Sequence, residues 1–365
     1  METLTYKCPS CGAPLIYQGD EQALKCNNCG NTFEGETVRK VAEIDHDDAQ
    51  APDAKWDMQE KSFTQDEAAR TKTYSCSSCG AQLMTDATTV ATNCAFCGSP
   101  SIIPAQFIPG TRPDIIIPFK VQKSEAESKF YTYFKGKKMI PNLFLKEKNR
   151  IEEIRQLYVP YWLFTCRADG RMTFDATRVS AMRQGQYMIT RTRHFLVRRA
   201  GTLDFKDLPI DASKQVNNDI TETLEPFEPS ASIPFSPETL SGSMADRADV
   251  SPDTCKERAN QRISNTISAA LRATMQGYNA VITRSSSIKV NDGSSYPALY
   301  PIWIITTKKE DRLYTFAING QTGELTCNIP YSKAKFLSWT LGITVGLSAL
   351  AYAVFVALTT TGVIA

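Results

Sequence analysis

Cys8-Pro-Ser-Cys-Gly-Ala-Pro-Leu15 and Cys26-Asn-Asn-Cys-Gly30 recur 68 residues on as Cys76-Ser-Ser-Cys-Gly-Ala-Gln-Leu83 and Cys94-Ala-Phe-Cys-Gly98. In each copy fourteen residues separate two Cys-x-x-Cys turns, enough chain for a hairpin between them. Thiolates about 2.3 Å from an ion satisfy the tetrahedral preference of zinc, and two such turns supply four of them. Gly12, Gly30, Gly80 and Gly98 follow the turns, where positive φ lets the backbone curl so that its N–H groups face the sulfurs. The expectation is two structural zinc ions, one on Cys8, Cys11, Cys26 and Cys29 and one on Cys76, Cys79, Cys94 and Cys97. Iron in a rubredoxin-like site uses similar knuckles and stays open as the alternative metal. A closed four-ligand set leaves no coordination position for water or substrate, so catalysis at the metal is not expected.

Charge divides unevenly. Residues 1–112 hold 9 Lys/Arg against 15 Asp/Glu, and the remainder 32 against 24. A nucleic-acid footprint is basic, which tells against the ribbon half as one. Cys166, Cys255 and Cys327 stand alone and read as small buried residues, and an odd total of 11 cysteines does not suit a disulfide framework. That pattern fits a reducing compartment. The segment METLTYKC has no basic stretch leading into an apolar run, so no secretory signal is expected.

Phe336–Leu358, FLSWTLGITVGLSALAYAVFVAL, is uncharged and long enough to cross a bilayer. Lys333 and Lys335 precede it, and such cations mark the cytoplasmic side. The expectation is a tail-anchored, single-pass protein of the cell membrane with its amino-terminal bulk in the cytoplasm.

Between ribbons and anchor the texture is α+β, with a second, weaker duplication. Ile117-Pro118-Phe119 returns as Ile233-Pro234-Phe235, and Tyr158–Trp162 is echoed by Leu299–Trp303. Each Pro-x-Trp element is read as an apolar strand, a polar turn and a further strand, WLFTCRADGRMTFDA in one and WIITTKKEDRLYTFAI in the other. Pro252–Gln276 reads as a helix with Ser251 as N-cap, Gly277 as stop, and Ala259, Ile263, Ile267, Ala270, Leu271 and Met275 as its core stripe. The predicted layout is ribbon 1 over 1–35, an acidic flexible linker over 36–73 and ribbon 2 over 74–104. Repeat unit 1 follows over 105–202, a loop-rich connection over 203–231, repeat unit 2 over 232–330 and a span over 336–358. The fold class is α+β: two small β ribbons, a duplicated body with antiparallel meanders, and one C-terminal transmembrane helix.

His46 in the acidic linker reads as solvated and His194 as structural, since a catalytic base needs a partner and none is evident. Trp162 and Trp303 read as core. No phosphate loop, nucleophile elbow or metal-hydrolase motif occurs, and no small-molecule substrate is evident. Arg167, Arg171, Arg178, Arg183, Arg191, Arg193, Arg198 and Arg199 face only Asp169 and Asp175 in the same run. They are either the solvated face of a meander or a basic face for anionic lipid or an acidic partner.

With CPSCGAPL, CSSCGAQL, YVPYWLF, FDATR, TRSSSI and AINGQTGEL, the chain resembles, over nearly its full length, bacterial membrane proteins called transcription-factor-type zinc-ribbon proteins. Some of these are labelled primosomal helicase-like, a label that no nucleotide-binding loop here supports. The resemblance extends to a Gram-positive envelope-stress component. It implies a scaffold that helps to hold flotillin-like (SPFH) and phage-shock-type proteins at the membrane. The expected function is therefore a tethered adaptor without enzymatic activity. A membrane-anchored nucleic-acid binder is the alternative.

Overall fold

A computed structural model describes residues 6, 8, 15–19, 23–27, 31–36, 38, 55–106, 110–135, 137, 153–309, 312–327 and 332–360. The chain forms two units, one from Met1–Gln59, Leu163–Pro209 and Pro252–Ser295, the other from Glu60–Trp162, Ile210–Ser251 and Tyr296–Ala365. The class is mixed α+β, as the sequence pattern implies.

In the first unit, β1 (Leu15–Gln18), β2 (Ala23–Cys26) and β3 (Thr32–Phe33) form an antiparallel sheet in that order. Leu15, Leu24 and Val38 are buried with Cys8 and Cys26. β4 (Trp56–Met58) follows inside the stretch expected to be a flexible linker. It is ordered because Trp56 packs edge-on against Phe164 at 5.1 Å and the strand pairs in parallel with Gly293–Ser295.

A second cluster in this unit is built on two alternations. Ala168, Met172, Phe174 and Ala176 of β9 (Glu153–Gln184) point to the same side as Val197 of β10 (Tyr187–Asp211). Cys255, Ala259, Ile263, Ile267 and Leu271 recur every four residues along helix α4 (Pro252–Ala273), giving one buried stripe. The helix stops three residues short of the expected Gln276, where Thr274 and Met275 donate to carbonyls three residues back and Gly277 takes φ +79°. β13 (Ala280–Val290) pairs antiparallel with Ala168–Thr177 of β9.

Gly170 corrects one expectation. Ala168-Asp169-Gly170 reads as a turn, yet β9 runs straight through it and turns only at Gly185. A Cβ on Gly170 would collide with Ile267 Cγ2, so the glycine serves the approach of α4 to the sheet. The connection also differs from the loop expected from residue 203. Leu203, Phe205 and Leu208 are partly buried against the α4 cluster, and β10 continues to Asp211.

In the second unit, helix α1 (Gln65–Ala69) starts with a capping box between Thr64 and Glu67 and leads into β5 (Thr71–Cys76). With β6 (Gln82–Asp86), β7 (Ile102–Ala105), β8 (Ile115–Ile116), β11 (Ile233–Pro234), β12 (Met244–Asp246) and β14 (Gly293–Lys309), the strand order is β11-β8-β14-β9-β12-β6-β5-β7. β12 runs parallel to β9 and β8 parallel to β14, so the sheet is mixed rather than a pair of antiparallel meanders. One meander does form, through β15 (Arg312–Asn319) and β16 (Leu325–Cys327). The second ribbon is no separate module, because its β6 pairs with β12 of the body.

Helix α2 (Lys123–Phe134) buries Ala126, Phe130 and Phe134, and both phenyl rings meet Phe316 edge-on, at 4.9 and 5.7 Å. α3 (Asn218–Thr223) is a short turn capped by Asn217. Ile233 of the second Ile-Pro segment pairs with Ile116, the residue just before the first. Last comes α5 (Lys333–Thr360). Its Lys333–Val356 stretch is long and apolar enough to span a membrane, and none of its apolar window is buried.

Candidate metal centre

Cys76 closes β5, and Gly80 at φ +77° turns the chain so that its N–H donates to the Cys76 carbonyl at 2.9 Å. Eighteen residues on, the same turn is built by Cys94 and Gly98, with φ +76° and a 3.0 Å bond from Gly98 N–H to the Cys94 carbonyl. The two turns are stitched together by Ser78 and Ser99 hydroxyls at 2.8 Å and by Ser77 N–H donating to Ser101 O at 3.0 Å.

This brings Cys76, Cys79, Cys94 and Cys97 together, their Sγ atoms all within 4.8 Å of one another. Cys76 Sγ lies 3.7 Å from Cys97 Sγ, and Cys79 Sγ 3.6 Å from Cys94 Sγ. A tetrahedron of thiolates about 2.3 Å from a central ion has edges of roughly 3.8 Å. The cluster therefore has the size and donor set to hold one metal ion.

Burial pushes the Cys76 thiol up, but hydrogen bonds from the amide N–H groups of Cys79 and Ser78 and from the Cys79 and Cys97 side chains together bring it down to about 7. Burial pushes Cys94 up to about 11 and raises Cys79 as well. Protein groups alone hold Cys79 and Cys94 in the thiol form, whereas a bound dication deprotonates coordinating thiols outright.

Arg155 is a neighbour that the cysteine spacing does not reveal. Only 7% exposed, it extends along the second knuckle, with Nη1 donating to Ala95 O at 3.4 Å. A Cβ on Gly98 would stand 2.7 Å from its Nη2. Arg155 also lines a cleft of about 510 Å³ with Asn93, Lys123, Gln156, Ser243 and Trp303. Among the described residues, no Asp, Glu, His or Cys lines that cleft.

The first ribbon repeats the local geometry. Cys26 N–H donates to Asn31 O at 2.9 Å, as Cys94 N–H does to Ser99 O, its counterpart 68 residues on. Cys8 and Cys26 are buried together, while Cys11 and Cys29 lie outside the described residues, as does His46. Among the described residues one four-cysteine cluster is complete.

The arginines do not share one face. Arg167 pairs with Asp204 at 2.6 Å, and Arg199 donates to Thr274 Oγ1 at 3.1 Å. Arg178 donates to Gly277 O and lies over the Phe195 and Tyr278 rings. Arg198 is half-buried on β10 and Arg171 exposed on β9, while Arg183, Arg191 and Arg193 stand exposed with His194 near the end of the β9–β10 hairpin.

Cys166 and Cys255 are buried, and the half-buried Cys327 thiol donates to Tyr133 Oη at 3.3 Å. Trp162 and Trp303 are core residues. Asp246 is a buried carboxyl that the sequence does not single out; burial raises it to about 7 against the 2.5 Å bond from Ser213.

No protein-family model matches the chain, and no solved structure matches it. Over 346 residues it is 31% identical to "Uncharacterized protein YdjG" of Bacillus subtilis (strain 168), a match covering 94% of this chain and 95% of that protein. At that identity and coverage, the chain belongs to the same family as YdjG.

Proposed function

We propose that the chain is a membrane-tethered adaptor: two zinc ions build ribbons that dock protein partners at the inner face of the cell membrane. The observation that carries this reading is the closed geometry of Cys76, Cys79, Cys94 and Cys97, whose sulfur separations of 3.6 and 3.7 Å suit four-thiolate zinc. Such a site folds its ribbon and leaves no coordination position for chemistry. The exposed apolar helix α5 supports the tether, and Lys333 and Lys335 at its start support a cytoplasmic body. The resemblance to zinc-ribbon envelope-stress proteins points to SPFH-type and phage-shock-type proteins as the partners.

The test is affinity capture of the full chain from solubilised membranes, compared with C8S/C11S and C76S/C79S variants at equal membrane levels. Recovery of an SPFH-type or phage-shock-type protein, lost in a ribbon variant, supports the reading. Identical recovery with all three chains, or none with any, contradicts it.

Arg183, Arg191 and Arg193 on the exposed hairpin favour a second reading, a membrane-anchored nucleic-acid binder. That reading requires DNA or RNA affinity falling steeply with salt.

A further inference from the structure

We propose that the end of the β9–β10 hairpin is a membrane-inserting element that takes up the headgroup region of an anionic leaflet. β13 begins at Ala280, opposite Thr177, and the Asn279 side chain accepts from Val179 N–H at 2.7 Å just before it. From Ser180 onward the hairpin is a two-stranded ribbon, and both strands are exposed on both faces as far as His194.

Such a ribbon would ordinarily be polar. Here Val179, Met182, Tyr187, Met188 and Ile189 are between 41% and 78% exposed. Successive residues of a strand face opposite ways, so Tyr187 and Ile189 occupy one face and Met188 the other. A flat protein surface can cover only one face of the ribbon. A medium that surrounds the tip covers both, and the upper layer of a bilayer is such a medium.

The charges are ordered to match. Reading back from the turn along one face of β10 gives Tyr187, Ile189, Arg191, Arg193; along one face of β9 it gives Gln184, Met182, Ser180, Arg178. On these two faces the apolar residues stand nearer the turn than the cations, behind the uncharged Gln184 on β9. Arg183 is the one cation near the tip. Its Nε donates to Gly185 O at 3.2 Å, and a long side chain there can snorkel to a phosphate.

No carboxylate occurs between Asp175 and Asp204, so nothing on the hairpin opposes an anionic surface. At about 3.3 Å per residue, the stretch that carries Met182 and Tyr187–Ile189 reaches roughly 10 Å, the depth of interfacial insertion rather than of a span. At that depth the edge amides stay within reach of headgroups and water.

The inference rests on the membrane reading of α5, so its test keeps the two apart. The full chain is reconstituted in lipid nanodiscs with p-benzoylphenylalanine replacing Tyr187, Leu347 in α5, or Gln261 on the exposed face of α4. Cross-linking to lipid is then read in discs with and without about 30% phosphatidylglycerol. The proposal expects lipid adducts at 187 and 347 but not 261, with the adduct at 187 alone depending on the anionic lipid. R191E/R193E should lower the 187 adduct roughly tenfold or more, since each basic residue at the leaflet contributes about a fivefold factor.

Adducts at 347 without any at 187 overturn the hairpin and leave the anchor standing. Absence at both overturns both. Cross-linking at 187 to a second copy of the chain in place of lipid makes the ribbon a self-association edge and also overturns the proposal.

Discussion

The Trp303 indole N–H donates to the Val121 carbonyl at 3.0 Å, and Val121 stands two residues before the first residue of α2. Trp162, the equivalent residue of the other repeat, donates to Val250 at 3.4 Å, two residues before the first residue of α4. Each Pro-x-Trp strand thus holds the approach to the helix that follows the Ile-Pro-Phe segment of the other repeat.

Removing the indole donor leaves a carbonyl without its bond. W303F should destabilise the chain by about 1–3 kcal/mol, and W162F by less, because its bond is longer. Denaturant unfolding in detergent followed by circular dichroism measures both. Equal, negligible costs would remove this account of the duplication.

The knuckle glycines separate two causes. Gly80 and Gly98 share a positive φ, so G80A and G98A both carry a strain of roughly 1–2 kcal/mol. Only at Gly98 does the added methyl meet the Arg155 guanidinium. Metal release to a chelator should therefore be faster in G98A than in G80A. Combining G98A with R155M should bring its rate back toward that of G80A with R155M.

Asp246 makes stability depend on pH. Its folded-state pKa, about 7, lies above the unfolded value, so the folded state holds a proton that the unfolded state gives up. The stabilisation is complete below the unfolded carboxylate range and is lost as pH rises toward 7. Between pH 5.5 and 7 the loss should be on the order of 1–2 kcal/mol, and D246N should flatten that slope. Melting temperatures of both proteins across this window measure it; parallel slopes would contradict it.

Gly170 tests the packing of α4. G170A should destabilise well beyond an ordinary strand substitution, and I267A should relieve part of the cost in the double variant. Thermal unfolding of the four chains completes the cycle.

What the sequence disclosed followed from short-range rules. Cysteine spacing located the cluster, an uncharged apolar run located α5, and a four-residue stripe located α4, because each signal lies within a few turns of chain. The misread segments turn on distant partners. Gly170 signals a turn until Ile267 is known to lie above it, and Leu203 and Phe205 read as loop until α4 covers them. Arg155 stands 57 residues beyond Gly98, so no local pattern ties it to the metal site. The exposed hairpin tip is hidden in a run of arginines, whose separation into packed and exposed positions depends on the fold.

The central claim is that the cysteines form closed four-thiolate metal sites that build the ribbons and do no chemistry. Zinc-edge X-ray absorption on the purified full chain, with metal content determined in parallel, tests it most directly. The account predicts two zinc ions per chain, each with four sulfurs at about 2.3 Å and no oxygen or nitrogen ligand. A lighter ligand or an open coordination position at either site would contradict it.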